Sequence, residues 1–211
     1  MVGIIGKKVG MTRVYGQTNR SVPCTVVQAG PCVVTQVRSI DKDGYKAVQL
    51  GYEDKKVKNT SRALERHFEK AATTPKRKLI EFKEFLQTTQ GKQLALGDQI
   101  TLQDLFAEGD LINVSGVSKG KGYQGVVKRH HFSGVGERTH GQQNRERAPG
   151  SVGPTSGQAR VHKNKRMAGR MGNDRVKVKN LRIIKIIPEE HLLLLSGPVP
   201  GAKNGYLTLQ K

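Results

Sequence analysis

The sequence has no tryptophan, only two cysteines, and five each of tyrosine and phenylalanine in 211 residues. It is also poor in acid: 17 Asp and Glu stand against 37 Lys and Arg, for a formal charge of +20. No run of about 18 apolar residues exists, so no membrane-spanning helix is expected. The opening MVGIIGKKVGMTRVYG has no apolar stretch behind a basic one, so no secretory signal is expected there. Cys24 and Cys32 lie in strand-like apolar runs without CxxC spacing. They read as two buried thiols in a reducing compartment. No Cys/His cluster has ligand spacing, which argues against a metal site. Glu81, Glu84 and the Asp98 region show no paired-carboxylate spacing, and no Ser/His/Asp constellation emerges. No enzymatic activity, cofactor or small-molecule substrate is therefore expected.

What is abundant is positive charge, and it is uneven. Residues 119–175 hold 13 Lys and Arg against 3 Asp and Glu, a net +10 and half of the total. The same 57 residues contain 11 Gly but only six of Leu, Ile, Val and Phe. Such a segment cannot bury enough apolar surface to offset its own ordering entropy. It reads as a long irregular basic extension without a core, and loops of that length in compact proteins usually have a function. Glycines recurring among cations suit a backbone that approaches phosphates closely and turns between them. The alternative is a solvated insertion.

The flanks read as mainly β. Gly3–Gly6, Thr12–Tyr15, Val22–Gln28, Val33–Ile40, Tyr45–Leu50, Leu111–Val117, Val176–Val178, Leu181–Ile187, His191–Leu195 and Tyr206–Leu209 are short β-branched or apolar runs divided by turn residues. Many short strands predict a closed barrel or sandwich. This gives a β domain from residues 1–118 with 176–211. Residues 53–106 form a small α/β insertion within it, and residues 119–175 form the basic extension. Leu64, Phe68 and Ala71 recur at helical spacing behind Ser61, predicting a helix over 61–72, and Thr101 caps a second over 101–106.

Gly120-Lys121-Gly122-Tyr123-Gln124-Gly125 matches GxGxxG and follows a strand. The required helix and distal acid do not follow, so a dinucleotide site is not expected. His130, His131, His140 and His162 stand among cations that repel a divalent metal. Stacking on bases or bonding phosphate suits them better. Only Tyr123 and Phe132 are aromatic in the segment, too few for a single-strand stacking platform, and no recognition helix or zinc finger is present. Folded RNA, read by shape and phosphate position, fits best. A free architectural binder of duplex DNA is the alternative.

Phe106, Asn113, Gly116, Ser118, Gly120-Lys121-Gly122 and Gly125 through Arg129 resemble the signature segment of the large-subunit ribosomal protein three family. GIIGKKVGMTRVY, Arg147–Gly153, Met167–Gly172 and LLLLSGPVPGAKNG are similar to that family's start, two loop motifs and end. The resemblance runs through essentially the whole chain. It implies a six-stranded barrel of the translation-protein type, with a small α/β insertion and an extension that enters large-subunit ribosomal RNA. It implies a structural role in the large subunit, in early assembly and around the peptidyl transferase centre, beside neighbouring large-subunit ribosomal proteins in the cytoplasm. The candidate RNA-binding residues are Lys119, Lys121, Lys128, Arg129, His130, His131, Arg138, His140, Arg145, Arg147, Arg160, His162, Lys163, Lys165, Arg166, Arg170 and Arg175. The uncharged tip Gly150, Ser151, Val152, Gly153 and Pro154 is implied to approach the peptidyl transferase centre. Many bacterial relatives carry a side-chain-methylated Gln where this chain has Pro154, so that modification does not carry over.

Overall fold

The computed structural model describes residues 2–15, 20–83, 91, 93–136, 140–154 and 160–211. It contains β1 (Gly3–Tyr15), β2 (Ser21–Ala29), β3 (Cys32–Arg38), α1 (Ile40–Asp43), β4 (Ala47–Asp54), a 3-10 turn (Val57–Asn59), α2 (Arg62–Lys70), β5 (Lys76–Lys83), β6 (Gln99–Ile100) and β7 (Leu111–Val117). There follow β8 (Gly122–Gln124), α3 (Val126–His130), β9 (Gly169–Met171), β10 (Arg175–Ile187), β11 (Leu192–Ser196) and β12 (Tyr206–Gln210). The chain divides into two compact units, Met1–Val117 with Arg175–Lys211, and Ser118–Asp174.

In the first unit six strands close into a barrel in the order β1-β12-β7-β10-β11-β2, every pair antiparallel. Closure leaves no long free edge for another chain to pair with. Side chains alternate as the period of two demands. Ile112 and Val114 of β7 and Leu207 and Leu209 of β12 are buried, with Leu193 and Leu195 of β11 beside them in one core. Two strands run longer than the sequence suggested. β1 crosses its glycines with a register shift between Lys8 and Gly10. β10 joins two expected pieces through an irregularity between Val178 and Leu181. There Asn180 takes φ +57° and donates its backbone N–H to Asn113 Oδ1 at 3.2 Å.

The boundary of the insertion needs correction. β3 and β4 do not join the barrel; they form a separate sheet in the order β5-β4-β3-β6. The insertion therefore begins near Cys32 rather than at residue 53. Strand-like patterning reports that a segment is extended and half-buried, not which sheet it enters. The expected helix over 61–72 is α2, shorter at each end, with Phe68 buried but Leu64 39% exposed. The expected helix over 101–106 is a turn instead. Asp104's carboxylate accepts from the Thr101 N–H and hydroxyl, both at 2.7 Å, and this folds Leu102, Leu105 and Phe106 into the core without a helical run.

Both cysteines are buried free thiols. Burial pushes the Cys32 thiol up to about 12, against a weaker opposing pull from its hydrogen bond to the Ile5 carbonyl. A thiol whose folded value is raised from 9.0 stabilises the fold fully below pH 9, and that contribution is lost as pH climbs towards 12. Thiol labelling at pH 8 should accordingly be at least ~10-fold slower in the native protein than in denaturant, with mass spectrometry finding neither thiol modified first. Fast labelling of Cys32 in the native state would contradict its burial.

Candidate nucleic-acid interface

Within Ser118–Asp174 the outgoing and returning legs are zipped together at their base. β8 pairs antiparallel with β9, Gly122 opposite Met171 and Gln124 opposite Gly169. Ser118 N–H donates to the Asp174 carbonyl at 2.9 Å, and Asp174 N–H donates back to the Ser118 hydroxyl at 3.2 Å. Lys121 N–H donates to the Met171 carbonyl at 2.9 Å. Gly172 permits this approach. Its φ is +73°, and a Cβ there would lie 3.1 Å from the Lys119 carbonyl carbon and closer still to its oxygen.

Beyond the ladder, α3 starts after the extended Gly125 and ends where His131 turns left-handed at φ +60°. Its Val126 is buried. Arg129 Nη1 donates to the Met167 carbonyl at 2.8 Å, and His130 Nε2 lies 3.0 Å from the same oxygen. A carbonyl only accepts, so this bond requires a proton on Nε2. Gly169 leaves the space that the Arg129 guanidinium occupies: a Cβ would fall 3.1 Å from its Cζ. Further along, Val135 N–H donates to the Glu146 carbonyl at 3.1 Å and Gln142 Nε2 to the Val135 carbonyl at 3.2 Å. Among its described residues the segment is held by backbone hydrogen bonds and glycine contacts, with regular structure confined to β8, α3 and β9.

The structure sorts the expected cations into three groups. Lys119, Lys121, Lys128, His131, His140, Arg145, Arg147, Arg160, His162, Lys163, Lys165, Arg166 and Arg170 are exposed. Arg129 and His130 are half-buried and hold the returning leg. Arg175 belongs to the other unit, as the first residue of β10. Arg138 lies outside the described residues. The tip residues Gly150, Ser151, Val152, Gly153 and Pro154 are all exposed, and a Cβ at Gly153 would meet nothing within 4 Å. Tyr123 is 74% exposed, a free ring among cations. Among the described residues no group of three or more His, Cys, Asp or Glu could hold a metal ion. Sequence reasoning passed over Lys177, Lys179, Arg182 and Lys185, which β10 exposes on the barrel. Their signal was strand alternation, masked by the denser charge of the neighbouring segment.

Fold and site together describe a β-barrel protein that bears a separate, solvent-facing polycationic unit. The family model described as "Ribosomal protein L3" matches residues 92–191, which include the whole of that unit. A protein of Salinibacter ruber, described as large ribosomal subunit protein uL3, is 53% identical over 209 residues, covering 99% of this chain and 98% of the relative. The chain belongs to the ribosomal protein L3 family, a structural and non-enzymatic family.

Proposed function

We propose that this protein is a structural constituent of the large ribosomal subunit and that its Ser118–Asp174 unit binds large-subunit ribosomal RNA. The observation that carries the reading is the partition of charge: thirteen cationic or histidine side chains of one small unit all face solvent. The relative named as a large-subunit protein supports the same reading. The barrel, of the translation-protein type, anchors the unit and faces neighbouring ribosomal proteins. The tip Gly150–Pro154 approaches the peptidyl transferase centre, where small uncharged residues fit between RNA elements and shape them without chemistry. The protein acts early in subunit assembly, in the ribosomes of the cytoplasm.

Lys163, Lys165 and Arg166 give the test. All three are exposed, and none is in an ion pair among the described residues. Replacing them together with Ala should lower the slope of log K against log salt by about 2 to 3, since each phosphate contact contributes roughly 0.7 to 0.9. Circular dichroism of the free protein should stay unchanged. An unchanged slope on large-subunit RNA, or equal affinity for duplex DNA, would overturn the proposal.

A further inference from the structure

The barrel unit has a concavity that the preceding reading leaves unused. It is a groove of about 550 Å³ between β5 and the outer barrel wall at β7, β10 and β12. Its lining is mixed: Lys78, Ser115, Arg175 and Thr208 stand beside apolar Leu79 and Ile80. Among the described residues β5 is the terminal strand of its sheet. Ser115 and Thr208 stand directly opposite each other across the β7–β12 ladder.

These two residues are only 7% and 6% exposed, yet neither hydroxyl has a hydrogen-bond partner among the described residues. Among the described residues every side-chain polar atom sealed from solvent does have a partner. The two hydroxyl oxygens therefore open into the groove, where each can donate. The charge of the groove is positive at Lys78 and Arg175. The carboxylate of Glu53, beside the lining residue Tyr206, is already engaged by the Tyr206 hydroxyl and by Lys7 Nζ at 2.9 Å.

Two hydroxyl donors, an ammonium and a guanidinium lining one groove form a donor set from which a phosphate group can accept. We infer that this groove is a phosphodiester site, through which the barrel itself holds one segment of RNA backbone, separately from the Ser118–Asp174 unit. The inference rests on the proposal that the protein binds large-subunit RNA.

The test uses the full chain and a large-subunit RNA transcript. Lys78→Ala should lower the salt slope by about 1, one phosphate contact. Ser115→Ala with Thr208→Val, which keeps the volumes, should weaken binding about 5- to 10-fold and leave the slope nearly unchanged. Titration of inorganic phosphate, followed by NMR, should shift the amides of residues 115 and 208 in the wild type and not in the double variant. Suppose both groove variants bind as wild type while the Lys163/Lys165/Arg166 variant loses slope. The groove inference then fails and the broader proposal stands. If all variants bind alike, the broader proposal fails as well. If the groove variants bind RNA normally but lose a protein neighbour in reconstituted subunits, the groove is a protein contact and the inference is overturned.

Discussion

Replacing Gly172 with valine is expected to unzip the base of the basic unit while leaving the barrel folded. The residue has φ +73°, a backbone region in which a β-branched side chain is strained by roughly 1–3 kcal/mol. The steric conflict is larger. A Cβ would meet the Lys119 carbonyl and stand 3.2 Å from Gly120 Cα, and all of these are backbone atoms that no rotamer change can move. The legs must separate, and the bonds from Ser118 N–H to Asp174 and from Lys121 N–H to Met171 are lost. Native-state hydrogen exchange should show the Ser118 and Lys121 amides exchanging at least ~10-fold faster, about 1.4 kcal/mol of lost protection, while amides of β7 and β12 keep theirs. Incorporation into large subunits should fall with it. Gly125→Ala is the control, because its φ is −71° and nothing lies within 4 Å of its Cβ position. Wild-type protection at Ser118 and Lys121 in the valine variant would show that the two legs are not held as described.

That prediction could not have been made from the sequence, and the reason is physical. The segment was legible as a unit because charge and apolar content both change sharply near residues 118 and 175, and the contacts divide the chain at 117/118 and 174/175. Its internal order was not legible. Apolar periodicity reports burial, whereas here the organising contacts are backbone hydrogen bonds and close approaches at Gly134, Gly169 and Gly172. Each such glycine looks like any other in a glycine-rich run. The same limit explains Arg129. As a cation among cations it read as a phosphate ligand, but its guanidinium is drawn to the Met167 carbonyl over Gly169. The barrel strands were legible as short β-branched or apolar runs between turn residues. Their partition between two sheets was not, since β3 and β4 are apolar, β-branched runs like the barrel strands and are told apart by their partners.

The join between those two sheets carries the other large effect. β1 opens with four consecutive buried residues, Gly3 to Gly6, where a strand covered on one face would alternate. The cause is that the second sheet covers the outer face of the barrel here. Phe82 of β5 is 1% exposed and lies in the space a side chain at position 3 would fill, with its Cδ1 2.6 Å from the Cβ position of Gly3. Phe82→Ala should therefore cost ~3–5 kcal/mol, the range for emptying a buried aromatic site, and lower the melting temperature on the order of 10 °C. Gly3→Ala should cost ~1–3 kcal/mol in the wild type through overpacking. In the Phe82→Ala background most of that cost should vanish, because the ring it strikes is gone. What then remains is crowding against the Leu209 carbonyl oxygen, 2.8 Å from the same Cβ position. A double-mutant cycle by urea denaturation should give a coupling of at least ~1 kcal/mol between positions 3 and 82, well above the few tenths expected of independent sites. Additive costs would mean that Phe82 does not pack on Gly3 in solution, and the four-residue buried run of β1 would need another cover.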